Sequence, residues 1–137
     1  MRVLAIGGSG GMGRHAVSLI QSFSSVLEII VADLNDSSAS SFAAEMNSKV
    51  SAIGLDVNDT EAMRRAMQNV DIVMNTSGPF YRFGVPILQA AINEGCNYLD
   101  ICDDWEPTIK MLELDQLAKT AGVTAIVGLG ASPGISN

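Results

Sequence analysis

The stretch "RVLAIGGSGGMGRHAV", residues 2–17, decides how the rest of the chain reads. Arg2 to Ile6 is a short β-branched and aliphatic run, the composition of a buried strand. Glycine then fills five of the seven positions from Gly7 to Gly13, interrupted only by Ser9 and Met12. From about Met12 to Phe23 the pattern is helical. Gly8, Gly10 and Gly13 satisfy G-x-G-x-x-G in the context that gives this motif meaning, after a strand and opening a helix. Gly8 is expected to make the tight turn out of the strand. Gly10, without a side chain, lets a pyrophosphate approach the backbone. Gly13 lets the helix pack close to the sheet. The N–H groups of the turn and the helix start, through Ser9, Gly11 and Met12, would then face the phosphates.

Working outward, apolar runs alternate with helical patterns. "EIIVA" (28–32), "VSAIGLD" (50–56), "DIVMN" (71–75), "NYLDI" (97–101) and "TAIVGLG" (124–130) read as strands. "SSASSFAAEMN", "NDTEAMRRAMQN" after Asn58 or Asp59 as a cap, "VPILQAAINEG" with Pro86 in its first turn and Gly95 closing it, and "TIKMLELDQLAKTAG" closed by Gly122 read as helices. Strands apolar along their whole length are buried on both faces, which marks a parallel sheet. The expected fold is therefore α/β: a Rossmann-type doubly wound parallel sheet in the order 3-2-1-4-5-6, one domain over residues 1–137.

Composition narrows the partners. With 8 basic and 15 acidic residues the net charge is −7, which disfavours nucleic acid and anionic membranes. No apolar stretch reaches the roughly 18 residues of a membrane span, and the first residues read as a strand rather than a signal peptide. Cys96 and Cys102 fit neither a redox pair nor a zinc spacing, so two free thiols in a cytoplasmic protein are expected.

The remaining candidates follow the strand ends. Asp33, 20 residues after Gly13, can accept both ribose hydroxyls of an adenosine and repel a 2′-phosphate. With Leu34 following and no Arg or Lys in "DLND", this favours NAD over NADP, Arg14 being the counter-argument. Asp56, with Val57, closes the third strand beside the expected adenine pocket, or serves as a loop cap. Thr76, Ser77, Gly78 and Pro79 in "NTSGPF" would border the nicotinamide ribose. Tyr81, Arg82 and Asp100 are weaker substrate-side candidates, and Asp103 or Asp104 reads as a helix cap. His15 is expected to be structural or solvent-facing. No His, Asp and Glu set has metal geometry, no Ser–His pair is placed for acyl transfer, and no Tyr-x-x-x-Lys occurs; the residues name no catalytic acid or base.

"IGGSGGMGRHAV", "VADLN", "LDVND", "DIVMNTSGPF", "AAINEGCNYLDI" and "GASPGISN" together resemble the nucleotide-binding part of the saccharopine dehydrogenase-like family. The resemblance runs the length of the chain. It implies hydride transfer between a nicotinamide and the C–N bond of an amino-acid-like substrate. It also implies a pyrophosphate on Gly8, Gly10 and Gly13, the adenosine ribose on Asp33, and the nicotinamide ribose beside Asn75 to Pro79. Ser132 to Asn137 would enter the substrate region, leading into a second domain that carries dimer contacts. Saccharopine reductases carry an acid where this chain has Ser132, and a lysine that "FGVPILQAA" lacks. The "PGISN" ending looks more like the lysine 6-dehydrogenase-like branch. The rival expectation is a non-catalytic dinucleotide sensor or interaction module.

Overall fold

The computed structural model describes residues 1–130. Six parallel strands form one sheet in the order β3-β2-β1-β4-β5-β6, as the apolar runs predict. They are β1 (Arg2–Ile6), β2 (Glu28–Asp33), β3 (Val50–Gly54), β4 (Ile72–Asn75), β5 (Asn97–Asp100) and β6 (Ala125–Ile126). The helices between them are α1 (Gly11–Ile20), α2 (Asp36–Ala44), α3 (Thr60–Ala66), α4 (Phe80–Asn93), α5 (Trp105–Leu112) and α6 (Asp115–Ala121).

The central strand shows why both faces had to be apolar. Alternate residues of a strand point to opposite faces. Val3 and Ala5 join Val17 of α1 and Phe42 of α2 on one side. Leu4 and Ile6 join Met63, Ile87, Met111 and Ala118 of α3 to α6 on the other. β1 is paired on both edges, Ile6 standing opposite Ala32 of β2 and Asn75 of β4. The C-terminal ends of β1, β2 and β4 therefore lie side by side, and every residue that follows them opens onto one crevice.

Several boundaries differ from the sequence pattern. The expected long helix over 108–122 is two helices. Leu114 leaves helical geometry at ψ 2°, its side chain packs against the core, and Asp115 opens a new first turn. Pro86 is inside α4 rather than in its first turn, because the helix begins at Phe80, directly after Pro79 as N-cap. Gly95 (φ +71°) stands one place beyond the C-cap Glu94, whereas Gly122 (φ +68°) is the C-cap of α6 itself. β6 keeps only Ala125 and Ile126 of the expected run. Gly128 turns left-handed at φ +76°, and the Leu129 N–H bonds the Asp100 carbonyl instead of continuing the ladder. Asp59, not Asn58, caps α3, accepting from the Ala62 N–H at 2.9 Å.

Candidate functional site

The glycine turn is assembled by contacts that exclude side chains. A Cβ on Gly13 would stand 2.6 Å from the Gly8 Cα and closer still to the Gly7 carbonyl oxygen. On Gly8 it would stand 2.7 Å from the Ala5 carbonyl oxygen, and on Gly10 3.2 Å from that of Gly7. The close approach expected at Gly13 is therefore present, made against the turn itself. The left-handed residue of the turn is Gly7 (φ +71°), not Gly8, and a Cβ there would also meet the Ser77 backbone nitrogen at 2.8 Å. The G-x-G-x-x-G spacing starts one residue too late to reveal Gly7. The run of consecutive glycines was the available signal.

α1 begins at Gly11 behind an N-cap, Gly10, that makes no side-chain capping bond. Its first-turn N–H groups, those of Gly11 and Met12 among them, thus have no side-chain capping oxygen. Gly11 has open space where a Cβ would be, and Met12 is exposed. These are the features an anionic diphosphate requires: unpaired donors, the positive end of the helix, and backbone that can be approached.

Asp33 ends β2 over this turn. Its Oδ2 accepts the Ser9 hydroxyl at 2.7 Å and its Oδ1 lies 3.3 Å from the Asn35 N–H. Ser9 itself is buried, so the pair is a wall of the site. The Arg14 guanidinium is held beside this corner. Its Nε donates to the Ser9 carbonyl at 2.6 Å, and its central carbon lies 4.6 Å from the Phe42 ring centre. Leu34 is exposed next to it.

A cavity of about 190 Å3 connects these ends, with Gly7, Asp33, Asp56, Ser77 and Gly78 among its lining residues and Leu55, Val57 and Phe83 forming an apolar wall. Asp56 is exposed at its rim. Hydrogen bonds from the Asn58 N–H and side-chain amide hold its carboxyl below the usual carboxylate range. The Thr76 hydroxyl lies 3.1 Å from both the Ile6 and the Gly7 carbonyl oxygens. The Ser77 hydroxyl donates to Asn75 Oδ1 at 2.6 Å. Both hydroxyls are thus engaged with the protein, while Gly78 and Pro79 are exposed.

The substrate-side candidates disperse. Tyr81 is exposed on α4 and Arg82 lies beside Phe83. Asp100 does not face the crevice: it is 0% exposed, with both carboxylate oxygens occupied. Ser132 lies outside the described residues. His15 is exposed on α1, and Asp104 is the N-cap of α5 through its backbone, its carbonyl accepting from the Thr108 hydroxyl at 2.7 Å. Among the described residues, no three His, Cys, Asp or Glu side chains meet as a metal site requires. No helix there is long and apolar enough to cross a membrane. A larger cavity of about 280 Å3 lies between α4, α6 and β6. Its walls are mostly apolar, its charged pair Asp115 and Lys119 is mutually satisfied, and it shares no lining residue with the cavity beside the glycine turn.

Comparison with known proteins agrees with this fold. A family model described as "Saccharopine dehydrogenase NADP binding domain" matches residues 3–126. A saccharopine dehydrogenase [NADP(+), L-glutamate-forming] of Schizosaccharomyces pombe is 33% identical over 91 residues, which are 66% of this chain and 19% of that protein. A "probable mitochondrial saccharopine dehydrogenase-like oxidoreductase" of Arabidopsis thaliana is 34% identical over 59 residues, 43% of this chain and 13% of the relative. The structure of apo saccharopine dehydrogenase (L-Glu forming) from Saccharomyces cerevisiae superposes with a TM-score of 0.84 at 24% identity, over 98% of this chain and 28% of that one. The chain therefore spans less than a third of the length of each of these proteins. The family description names NADP, where Asp33 alone had favoured NAD.

Proposed function

The chain belongs to the saccharopine dehydrogenase NADP-binding-domain family, and from that premise we propose that it is the dinucleotide-binding domain of an oxidoreductase that moves hydride between a nicotinamide cofactor and the C–N bond of an amino-acid-like substrate. One observation carries the reading. Gly7 of the glycine turn, Asp33 and the Ser77–Gly78 turn line a single crevice at the C-terminal ends of β1, β2 and β4, and the uncapped start of α1 follows the same glycine turn.

When bound, the nicotinamide supplies the hydride acceptor or donor; the protein supplies position and electrostatics. The Gly11 and Met12 N–H groups would hold the diphosphate. Asp33 would accept from the adenosine ribose, displacing or sharing the Ser9 hydroxyl. Asp56 at the rim would accept from the adenine amine, and Leu55, Val57 and Phe83 would exclude water from the adenosine. Gly78 and Pro79 would lie along the cofactor toward its nicotinamide end. A substrate domain and dimer contacts elsewhere in a longer protein would orient the substrate.

We assign the ribose corner to NAD on the strength of Asp33, because an acid there repels a 2′-phosphate. A second reading, NADP, is favoured by Arg14, whose guanidinium is anchored on Ser9 beside the same corner, and by the family description. Calorimetric titration with NAD and NADP in separate runs decides between them. Micromolar binding of either supports the domain assignment, and the tighter of the two identifies the cofactor. A folded protein that binds neither overturns the assignment.

A further inference from the structure

Beneath the turn after β4 lies a buried polar chain that none of the binding roles above uses. Asn75 and Asp100 end neighbouring strands and are register partners, and both are 0% exposed. Tyr98, two residues before Asp100 and so on the same face, is 1% exposed. Its hydroxyl donates to Asp100 Oδ2 at 2.8 Å and accepts from Asn75 Nδ2 at 3.1 Å. The other oxygen of Asp100 accepts the Cys102 and Gly128 N–H groups at 3.0 and 2.8 Å. Asn75 Oδ1 in turn accepts both the N–H and the hydroxyl of Ser77, at 3.0 and 2.6 Å.

Every link in this chain runs one way. A carboxylate only accepts, so the Tyr98 proton must point to Asp100. The hydroxyl oxygen is then free to accept, and only the amide nitrogen of Asn75 can supply the donor. That orientation forces the Asn75 carbonyl oxygen toward Ser77. Burial, and next the charge of Asp100, push the Tyr98 phenol far above its ordinary pKa, so the hydroxyl keeps its proton at any physiological pH. No buried side-chain oxygen or nitrogen among the described residues lacks a partner, which leaves the chain no slack for an alternative arrangement.

We propose that Tyr98 and Asp100 are positioning residues of the dinucleotide crevice: acting through Asn75, they fix Ser77 and the Gly78–Pro79 turn against the Gly7 backbone, and so set the width of the crevice between the glycine turn and β4. The contact that transmits the effect is the Ser77 backbone, which packs so closely on Gly7 that only a glycine fits there. The proposal rests on the dinucleotide reading above for its effect on binding, but not for the hydrogen-bonded chain itself.

Tyr98→Phe is the variant of choice, since it removes one oxygen and keeps the ring in the core. Two readouts separate this proposal from the parent reading: nicotinamide-dinucleotide affinity by calorimetry, and hydrogen exchange of the Ser77 amide in the free protein. Tyr98→Phe removes both the bond to the Asp100 carboxylate and the one from the Asn75 amide; the Asn75 bond is the one that reaches Ser77, and its loss corresponds to a weakening of about two- to tenfold in affinity, with faster Ser77 exchange. Ser77→Ala weakens binding on its own, and the double variant falls short of the product of the two effects, because both act through Asn75. A Tyr98→Phe protein with lowered thermal stability but unchanged affinity and unchanged Ser77 exchange overturns the proposal, and so do strictly multiplicative effects. If the wild-type protein binds no dinucleotide, the parent reading fails; Ser77 exchange then decides the hydrogen-bonded chain alone, faster exchange in Tyr98→Phe upholding it and unchanged exchange refuting it.

Discussion

The Ser9 hydroxyl points at Asp33 Oδ2, 2.7 Å away, closing the gap between the glycine turn and the end of β2. With the Asn35 N–H on Oδ1 at 3.3 Å, this bond holds the carboxylate over the site. Hydrogen bonds to a charged group contribute about 1.5–3 kcal/mol, so Asp33→Ala should weaken NAD binding by roughly 10- to 100-fold. NADP binding should be unchanged or tighter, because the repulsion of a 2′-phosphate goes with the carboxylate. Titration of the variant with both dinucleotides checks this. Equal losses for the two would show that Asp33 only braces the turn.

The glycines of the turn are not equivalent. Gly13→Ala puts a methyl group into the backbone of Gly7 and Gly8, which cannot retreat without opening the turn. Overpacking of this kind costs about 1–3 kcal/mol or more, read as a lower unfolding midpoint in urea. Gly11→Ala meets nothing within 4 Å. In a helix first turn it should be neutral or stabilising by about 0.4–1 kcal/mol, through a stiffer unfolded chain. Comparable destabilisation by both substitutions would contradict the packing described.

Asp56 should titrate below the ordinary carboxylate range, and Asn58→Ala should return it only part of the way, since the substitution removes the side-chain amide but keeps the backbone N–H, the larger cause of the shift. A depressed folded-state pKa contributes stability that is present above the unfolded pKa and lost as pH falls through the folded one. The contribution of Asp56 is therefore intact at neutral pH and disappears only in the acid range. Carboxyl chemical shifts followed by NMR across that range measure it directly. An Asp56 that titrates normally in the wild-type protein would remove the basis for this assignment.

Both thiols are buried, and burial is the main reason that both have raised pKa values. Since the thiolate is the reactive form, Cys96 and Cys102 should resist alkylation in the folded protein near pH 8 and react promptly once it is denatured. Mass spectrometry of iodoacetamide-treated protein, with and without urea, provides the test. Rapid labelling of either cysteine in the native state would mean that its strand end opens far more readily than the packing implies.

Strand order, the glycine turn and the acid that ends β2 are legible in the amino-acid order itself, because each depends on local pattern. β1 is apolar from Val3 to Ile6, the glycines lie directly after it, and Asp33 follows an unbroken aliphatic run. The features that local pattern conceals depend on distant residues. Gly7 is needed as glycine partly because Ser77, seventy positions later, packs on it. Asp100 looks available for a ligand in "NYLDI" because nothing there reveals that β4 places Asn75 beside it and that Gly128 reaches its other oxygen. The break at Leu114 carries neither glycine nor proline; it comes from the packing of Leu114 on the core.

The central place of β1 has a consequence for how the protein is made. β2, one neighbour, follows within 30 residues, but β4, the other, starts at Ile72. During synthesis at roughly 5–20 residues per second, β1 waits on the order of ten seconds for its second partner. Through that interval one edge of an almost wholly apolar strand stands open, the condition under which nascent chains pair with the wrong neighbour. Closing the β1–β4 ladder across some seventy residues is also a costly non-local step in folding. The strand that organises the binding crevice is thus the one whose completion comes late and whose exposure a chaperone would have the most reason to shield.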